Sequence, residues 1–174
     1  MKLLYVANVR MPSERAHSAQ IMKTCEAFVR AGAQVTLVVP NRATSIQEDP
    51  FTYYGVKTTF PIVRLPVWDL VHLGFFSFLI EQASFSFSVR RYARRTSVDV
   101  MYGRDERVLR SIARVVSVPI IWESHVGAWN WAARTLTDAA KKIVVISGGL
   151  KRMYTERGVP AEKIFVAHDG VDIA

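Results

Sequence analysis

Apolar residues enter this chain in short, partly β-branched runs, and between the runs they recur every three or four positions. Brief strands alternating with helical spacing are the mark of a parallel α/β fold. Residues 2–7 (KLLYVA) form the first run, followed by a polar stretch at 8–17. Ser18 then reads as a helix N-cap, with Ile21, Met22, Cys25, Phe28 and Val29 at helical spacing and Gly32 as the stop. Residues 35–39, closed by Pro40, give a second strand. The three segments make a strand–helix–strand crossover, which is right-handed in nearly all folds.

Residues 41–61 look irregular, and 62–65 form a third strand. A helical tract is predicted from about Leu70 to Arg95, with Phe76, Leu79, Ile80, Ala83 and Phe87 on one side and Phe75, Phe78, Phe85 and Tyr92 on another. A helix apolar on most sides calls for cover on most sides. Further strands follow at 98–102, 119–122, 142–146 and 164–167. Between them lie a helix capped by Asp105, a short helix at 132–140 and a helix capped by Ser147. The expected architecture is a Rossmann-like three-layer sandwich around a mostly parallel sheet of about seven strands. One domain, residues 1–174, accounts for the length. The chain stops soon after the seventh run, at Asp169-Gly170-Val171-Asp172, which reads as a boundary between two domains.

Composition narrows the setting. Half of the residues are apolar, enough for a sizeable core, and the formal net charge is +8, which favours anionic partners. The single cysteine, Cys25, permits no intrachain disulfide and sits on the apolar helix face, as a packed side chain would. No signal peptide is evident, because Asn8 and Arg10 interrupt the first apolar run. The longest apolar tract, 70–80, falls short of the roughly 20 residues that span a bilayer. A cytoplasmic protein is expected. The tract Arg90-Arg91-Tyr92-Ala93-Arg94-Arg95 after the Phe-rich segment suggests a peripheral contact with the inner face of a membrane, or simply cations at a helix C-terminus.

In an open parallel sheet, ligands bind beyond the C-terminal ends of the strands. His17, Ser18 and Gln20 follow the first strand, and Arg104 follows the fourth. Glu123, His125, Trp129 and Trp131 follow the fifth, Ser147 the sixth, and His168, Asp169 and Gly170 the seventh. Arg104 offers a bidentate fork to an anion, the tryptophans offer faces to sugars, and Ser147-Gly148-Gly149 offers a phosphate cradle or a plain cap. Neither G-x-G-x-x-G nor G-x-x-x-x-G-K-[ST] is present, which argues against a bound dinucleotide cofactor. The four histidines are far apart and no metal-ligand spacing occurs, so no metal is expected. The arginines are dispersed over several helices without a nucleic-acid motif, so no nucleic-acid partner is expected either.

Four segments carry a family likeness: 1–40, the strand end Asp99-Val100-Met101-Tyr102-Gly103-Arg104, Pro119-Ile120-Ile121-Trp122-Glu123-Ser124-His125, and the stretch from Ile143-Val144-Val145-Ile146-Ser147 through Gly158-Val159-Pro160-Ala161-Glu162-Lys163-Ile164 to Gly170-Val171-Asp172. In this order they resemble the N-terminal domain of family 4 glycosyltransferases, retaining enzymes of the GT-B architecture. The chain departs from that pattern at Ser13-Glu14-Arg15-Ala16, where the family usually has a glycine pair, and at His168-Asp169, where it has Pro-Asn.

The resemblance implies an acceptor-binding half that is inactive alone. It implies that a C-terminal domain outside this chain holds the nucleotide-sugar through two glutamates about two helical turns apart. That nucleotide-sugar is then a co-substrate, with no other cofactor, and the acceptor is a sugar or a lipid-linked sugar. Among the residues, it implies His125 as a hydrogen-bond donor at the reacting sugar, with Glu123 orienting it or binding acceptor hydroxyls. His17, Ser18, Gln20, Arg104, Trp129, Ser147, Asp169 and Gly170 complete the substrate-binding set. A stand-alone module binding an anionic ligand at the same sheet edge is the alternative.

Overall fold

A computed structural model of the chain describes residues 1–68, 75–168 and 170, with the side chains of 75–78 excepted. Its centre is a seven-stranded, wholly parallel sheet in the order β3-β2-β1-β4-β5-β6-β7. The strands are β1 (Lys2–Val6), β2 (Gln34–Pro40), β3 (Ile62–Leu65), β4 (Val100–Gly103), β5 (Ile120–Ser124), β6 (Lys142–Val145) and β7 (Ile164–Val166). Six helices connect them: α1 (Ala16–Arg30), α2 (Pro50–Tyr53), α3 (Phe75–Ala93), α4 (Glu106–Ala113), α5 (Trp131–Ala139) and α6 (Gly148–Glu156).

The sheet is buried on both faces, as parallel sheets must be, and that explains the nearly continuous apolar runs. Leu4, Val6, Met101, Trp122, Ile143 and Val145 point to one side, into a core with Phe85, Val108, Leu109 and Leu136 from the helices. Leu3, Tyr5, Leu37, Val39, Val100 and Tyr102 point to the other, beneath Ile21, Met22 and Cys25 of α1. Cys25 is fully buried, and burial pushes its thiol far above the ordinary range, so it packs and does not react.

Four local features depart from the expected pattern. First, α1 begins at Ala16, and its N-cap residue Arg15 makes no side-chain cap bond. Ser18 therefore lies in the first turn, fully buried, with its hydroxyl 2.8 Å from that of Ser13. Second, the stretch after β2 contains α2, whose Asp49 cap accepts from the amides of Phe51 and Thr52. Third, β4 starts at Val100, and Asp99 just before it is tied to the start of β1, its side chain accepting from the Lys2 amide and its own amide donating to the Lys2 carbonyl. Fourth, α3 buries Glu81, Phe85, Val89 and Ala93 but leaves Ile80 and Phe87 exposed, so it lacks cover on most sides. Residues 70–74 of the predicted helical tract lie outside the described residues. Asp105 and Ser147 cap α4 and α6 as their sequence context implies, accepting from the amides of Val108 and Leu150.

Candidate functional site

Strand order reverses between β1 and β4: β2 and β3 lie to one side, and β4 to β7 to the other. At such a switch point the two following loops part and leave a crevice. The parallel register aligns Tyr5 with Tyr102 and Val6 with Gly103. Gly103 makes this close approach possible, since a Cβ there would sit 2.5 Å from the Val6 carbonyl oxygen. The backbone then turns outward at Arg104.

Glu123, near the end of β5, forms the centre of the crevice. Its carboxylate accepts from Arg104 at 3.0 Å, from His125 Nε2 at 2.5 Å and from the Tyr5 hydroxyl at 3.4 Å. The Tyr102 phenol also lies within the influence of this carboxylate. Burial alone raises the carboxyl, but the His125 hydrogen bond and the Arg104 charge together outweigh it and hold Glu123 down at about 2. The carboxylate is therefore ionised at neutral pH and acts only as an acceptor, which assigns the His125 Nε2 proton as the donated one. Burial pushes the Tyr5 and Tyr102 phenols upward, and the Glu123 charge adds to this, so both remain protonated donors.

Arg104 extends the cluster toward α1 by donating to Gln20 at 3.2 Å, while its own carbonyl accepts from the Trp122 indole at 3.1 Å. Both terminal guanidinium nitrogens are thus engaged within the chain, one on Glu123 and one on Gln20. His17 lies in the first turn of α1, where burial and the Arg15 and Arg104 charges lower its pKa and favour neutral imidazole. Glu123, Gln20, Phe28, Tyr102, His168 and Gly170 border an open cleft of about 750 Å³ running along α1. His168 is anchored there through Nδ1 to the Ile146 carbonyl at 3.0 Å.

The residues singled out in the sequence thus fall into two groups. Gln20, Arg104, Glu123, His125, His168 and Gly170 gather at or beside this cleft, with His17 nearby. Ser18 faces inward to Ser13, and Ser147 spends its hydroxyl on the Leu150 amide. Trp129 packs on Tyr154 with Arg157 over its ring at 5.0 Å, bordering a separate depression shared with Trp131. Asp169 lies outside the described residues. Sequence reasoning missed Tyr5, Tyr102 and Tyr154. For Tyr5 and Tyr102 the signal was present, because each is an aromatic with a polar tip inside an apolar strand, and a buried phenol needs a partner. Tyr154, fully buried, holds the loop after β5 by bonding the Ser124 hydroxyl at 2.7 Å and the Ala128 carbonyl at 3.2 Å.

A second polar cluster lies at the same sheet edge on the α3 side. Arg42 pairs with buried Glu81 and donates to Asn8 at 2.8 Å, and Asn8 in turn reaches Asp105 at 3.4 Å. Gln82 completes it by donating to Asp105 and accepting from Arg107. This network ties α3 to the loops after β1 and β2 and to the start of α4. Among the described residues no group of acidic, histidine or cysteine side chains could hold a metal ion.

None of the curated proteins compared by sequence matches the chain. Solved structures match it in fold. The apo form of the lipopolysaccharide outer core galactosyltransferase WaaB superposes with a TM-score of 0.69 at 15% identity, over 100% of this chain and 47% of that one. Anabaena Alr3699/HepE in complex with UDP and glucose gives 0.62 at 14% identity, over 99% of this chain and 45% of that one. A putative UDP-N-acetylglucosamine 2-epimerase from Listeria monocytogenes gives 0.68 at 10% identity, over 95% and 44%. The chain therefore spans about half the length of these proteins, as one Rossmann-like half of a GT-B fold. The profile of Glycosyltransferase Family 4 matches residues 18–174, and the chain belongs to that family.

Proposed function

We propose that the chain is the acceptor-binding half of a retaining glycosyltransferase, with a C-terminal domain holding the nucleotide-sugar donor. The observation that carries this reading is the ionised Glu123 at the switch point, which grips His125 on one side and Arg104 on the other. The cleft beside it is open to solvent, as a surface awaiting a second domain would be. A UDP-sugar is the favoured donor class, supported by the UDP and glucose held by the HepE structure. The acceptor is a sugar hydroxyl, free or lipid-linked.

In this mechanism the chain forms no bond to the sugar. Glu123 fixes the tilt of the His125 ring by accepting from Nε2, and Nδ1, when it carries a proton, donates a hydrogen bond to the transferring sugar. A donor placed there is favoured as negative charge develops on the departing phosphate. Gln20, His17 and His168 line the approach for acceptor hydroxyls. Closure of the donor domain over the cleft excludes water and completes the site.

The test uses the two-domain protein and a UDP-sugar donor. His125→Ala is expected to lower turnover by roughly 10²–10⁴-fold, the range of a positioned polar group. The 174-residue chain alone is expected to transfer nothing. Unchanged turnover in the variant, or transfer by the isolated chain, defeats the proposal.

A further inference from the structure

The outer face of α3 carries a surface that the transfer reading does not use. We propose that this face docks the protein on an anionic lipid membrane. Ile80, Ala83, Phe87, Arg91 and Arg94 recur three or four residues apart, so they form one stripe along the helix. All five are exposed, whereas Glu81, Phe85, Val89 and Ala93 on the opposite side are buried. The stripe is therefore apolar in its N-terminal half and cationic in its C-terminal half.

Two neighbouring features widen it. Trp68, 69% exposed, is held beside α3 by a hydrogen bond from its amide to the Ser84 hydroxyl. Phe87 borders a shallow concavity of about 280 Å³ whose other walls are Arg90, Arg91, Arg94 and Arg95. Among the described residues, eight large hydrophobics are exposed, and four of them (Trp68, Leu79, Ile80 and Phe87) are gathered here. Scattered apolar residues need no explanation, but a cluster rimmed by one sign of charge marks an interaction surface.

Charge identifies the partner. The only acidic residue of α3 is Glu81, and it is buried against Arg42. Nothing acidic on the helix thus balances its outward arginines. A tryptophan, a phenylalanine and an isoleucine beside four arginines match a bilayer interface, where apolar side chains enter the acyl boundary and cations meet acidic headgroups. A nucleic acid would use the arginines but leave the apolar half bare. Glu81 and Gln82, next to Ile80, bond to Arg42 after β2 and to Asp105 at the head of α4. The apolar end of the stripe therefore lies toward the C-terminal edge of the sheet.

The experiment is co-sedimentation of the 174-residue chain with vesicles of equal phosphatidylglycerol and phosphatidylcholine, against phosphatidylcholine alone. Binding is expected only to the acidic vesicles, and it should weaken with added salt. The double variant Arg91→Gln/Arg94→Gln should weaken it about thirtyfold, about fivefold per arginine. Phe87→Ser should weaken it roughly tenfold, through loss of buried apolar area. All three sites are exposed, so thermal unfolding should be unchanged and should report intact folding in each variant. Equal binding to both vesicle types overturns the proposal, as does acidic-vesicle binding indifferent to both variants. Duplex DNA binding lost in the arginine variant, with no vesicle binding, assigns the surface to nucleic acid instead. None of these outcomes touches transfer to a water-soluble acceptor, so the docking surface and the transfer reading fail separately.

Discussion

Glu123→Gln isolates the charge at the centre of the candidate site, because the amide keeps the shape of the carboxylate and ends its ionisation. In the folded chain burial raises the carboxyl, and the His125 and Arg104 contacts outweigh it, leaving it at about 2 against an ordinary 4.5. The side chain is only 7% exposed, so solvent screens these contacts little. A depression of that size is worth roughly 3 kcal/mol of folding free energy at neutral pH. The folded value lies below the unfolded one. The stabilisation is therefore complete above the unfolded value and is lost as the pH falls through about 2. Urea unfolding of wild type and variant, followed by circular dichroism across a pH series, measures the difference. The variant should be less stable by roughly 3 kcal/mol at pH 7 and by roughly 1.5 kcal/mol at pH 3, because only the wild type has a proton to gain there. A stability gap that stays constant from pH 7 to pH 3 refutes the reasoning, since it assigns the effect to shape and not to charge.

Gly103→Ala places a Cβ 2.5 Å from a backbone oxygen of β1, which cannot yield as a side chain would. It should cost about 3 kcal/mol or more in chemical denaturation, beyond the usual range for overpacking into side chains. Tyr154→Phe removes the hydroxyl that bonds both Ser124 and Ala128. It should cost about 1–2 kcal/mol and speed amide exchange in the loop carrying His125.

The strands were legible because each must be apolar on both faces, and an unbroken apolar run bounded by polar loops has few other readings. The start of α1 was not. Ser18 has the chemistry of a cap, but its hydroxyl meets Ser13, and the helix begins two residues earlier without a side-chain cap. Composition likewise shows that α3 is apolar all round, yet not which side goes uncovered. That depends on which other elements reach it. The candidate site shows the same division between local and non-local information. Glu123 and His125 are two residues apart and could be paired by inspection. Tyr5 and Arg104 reach the same carboxylate from β1 and from the end of β4, through a parallel register that no local pattern encodes. The register is nevertheless sharply constrained. Trp122 is buried in the core beneath α4 and α5, while Glu123 faces the cleft on the α1 side. A slip of β5 by one residue would exchange them, burying a carboxylate in an apolar core and turning an indole toward solvent. The charge at the site and the packing on the far side of the sheet therefore select the same alignment of β4 with β5.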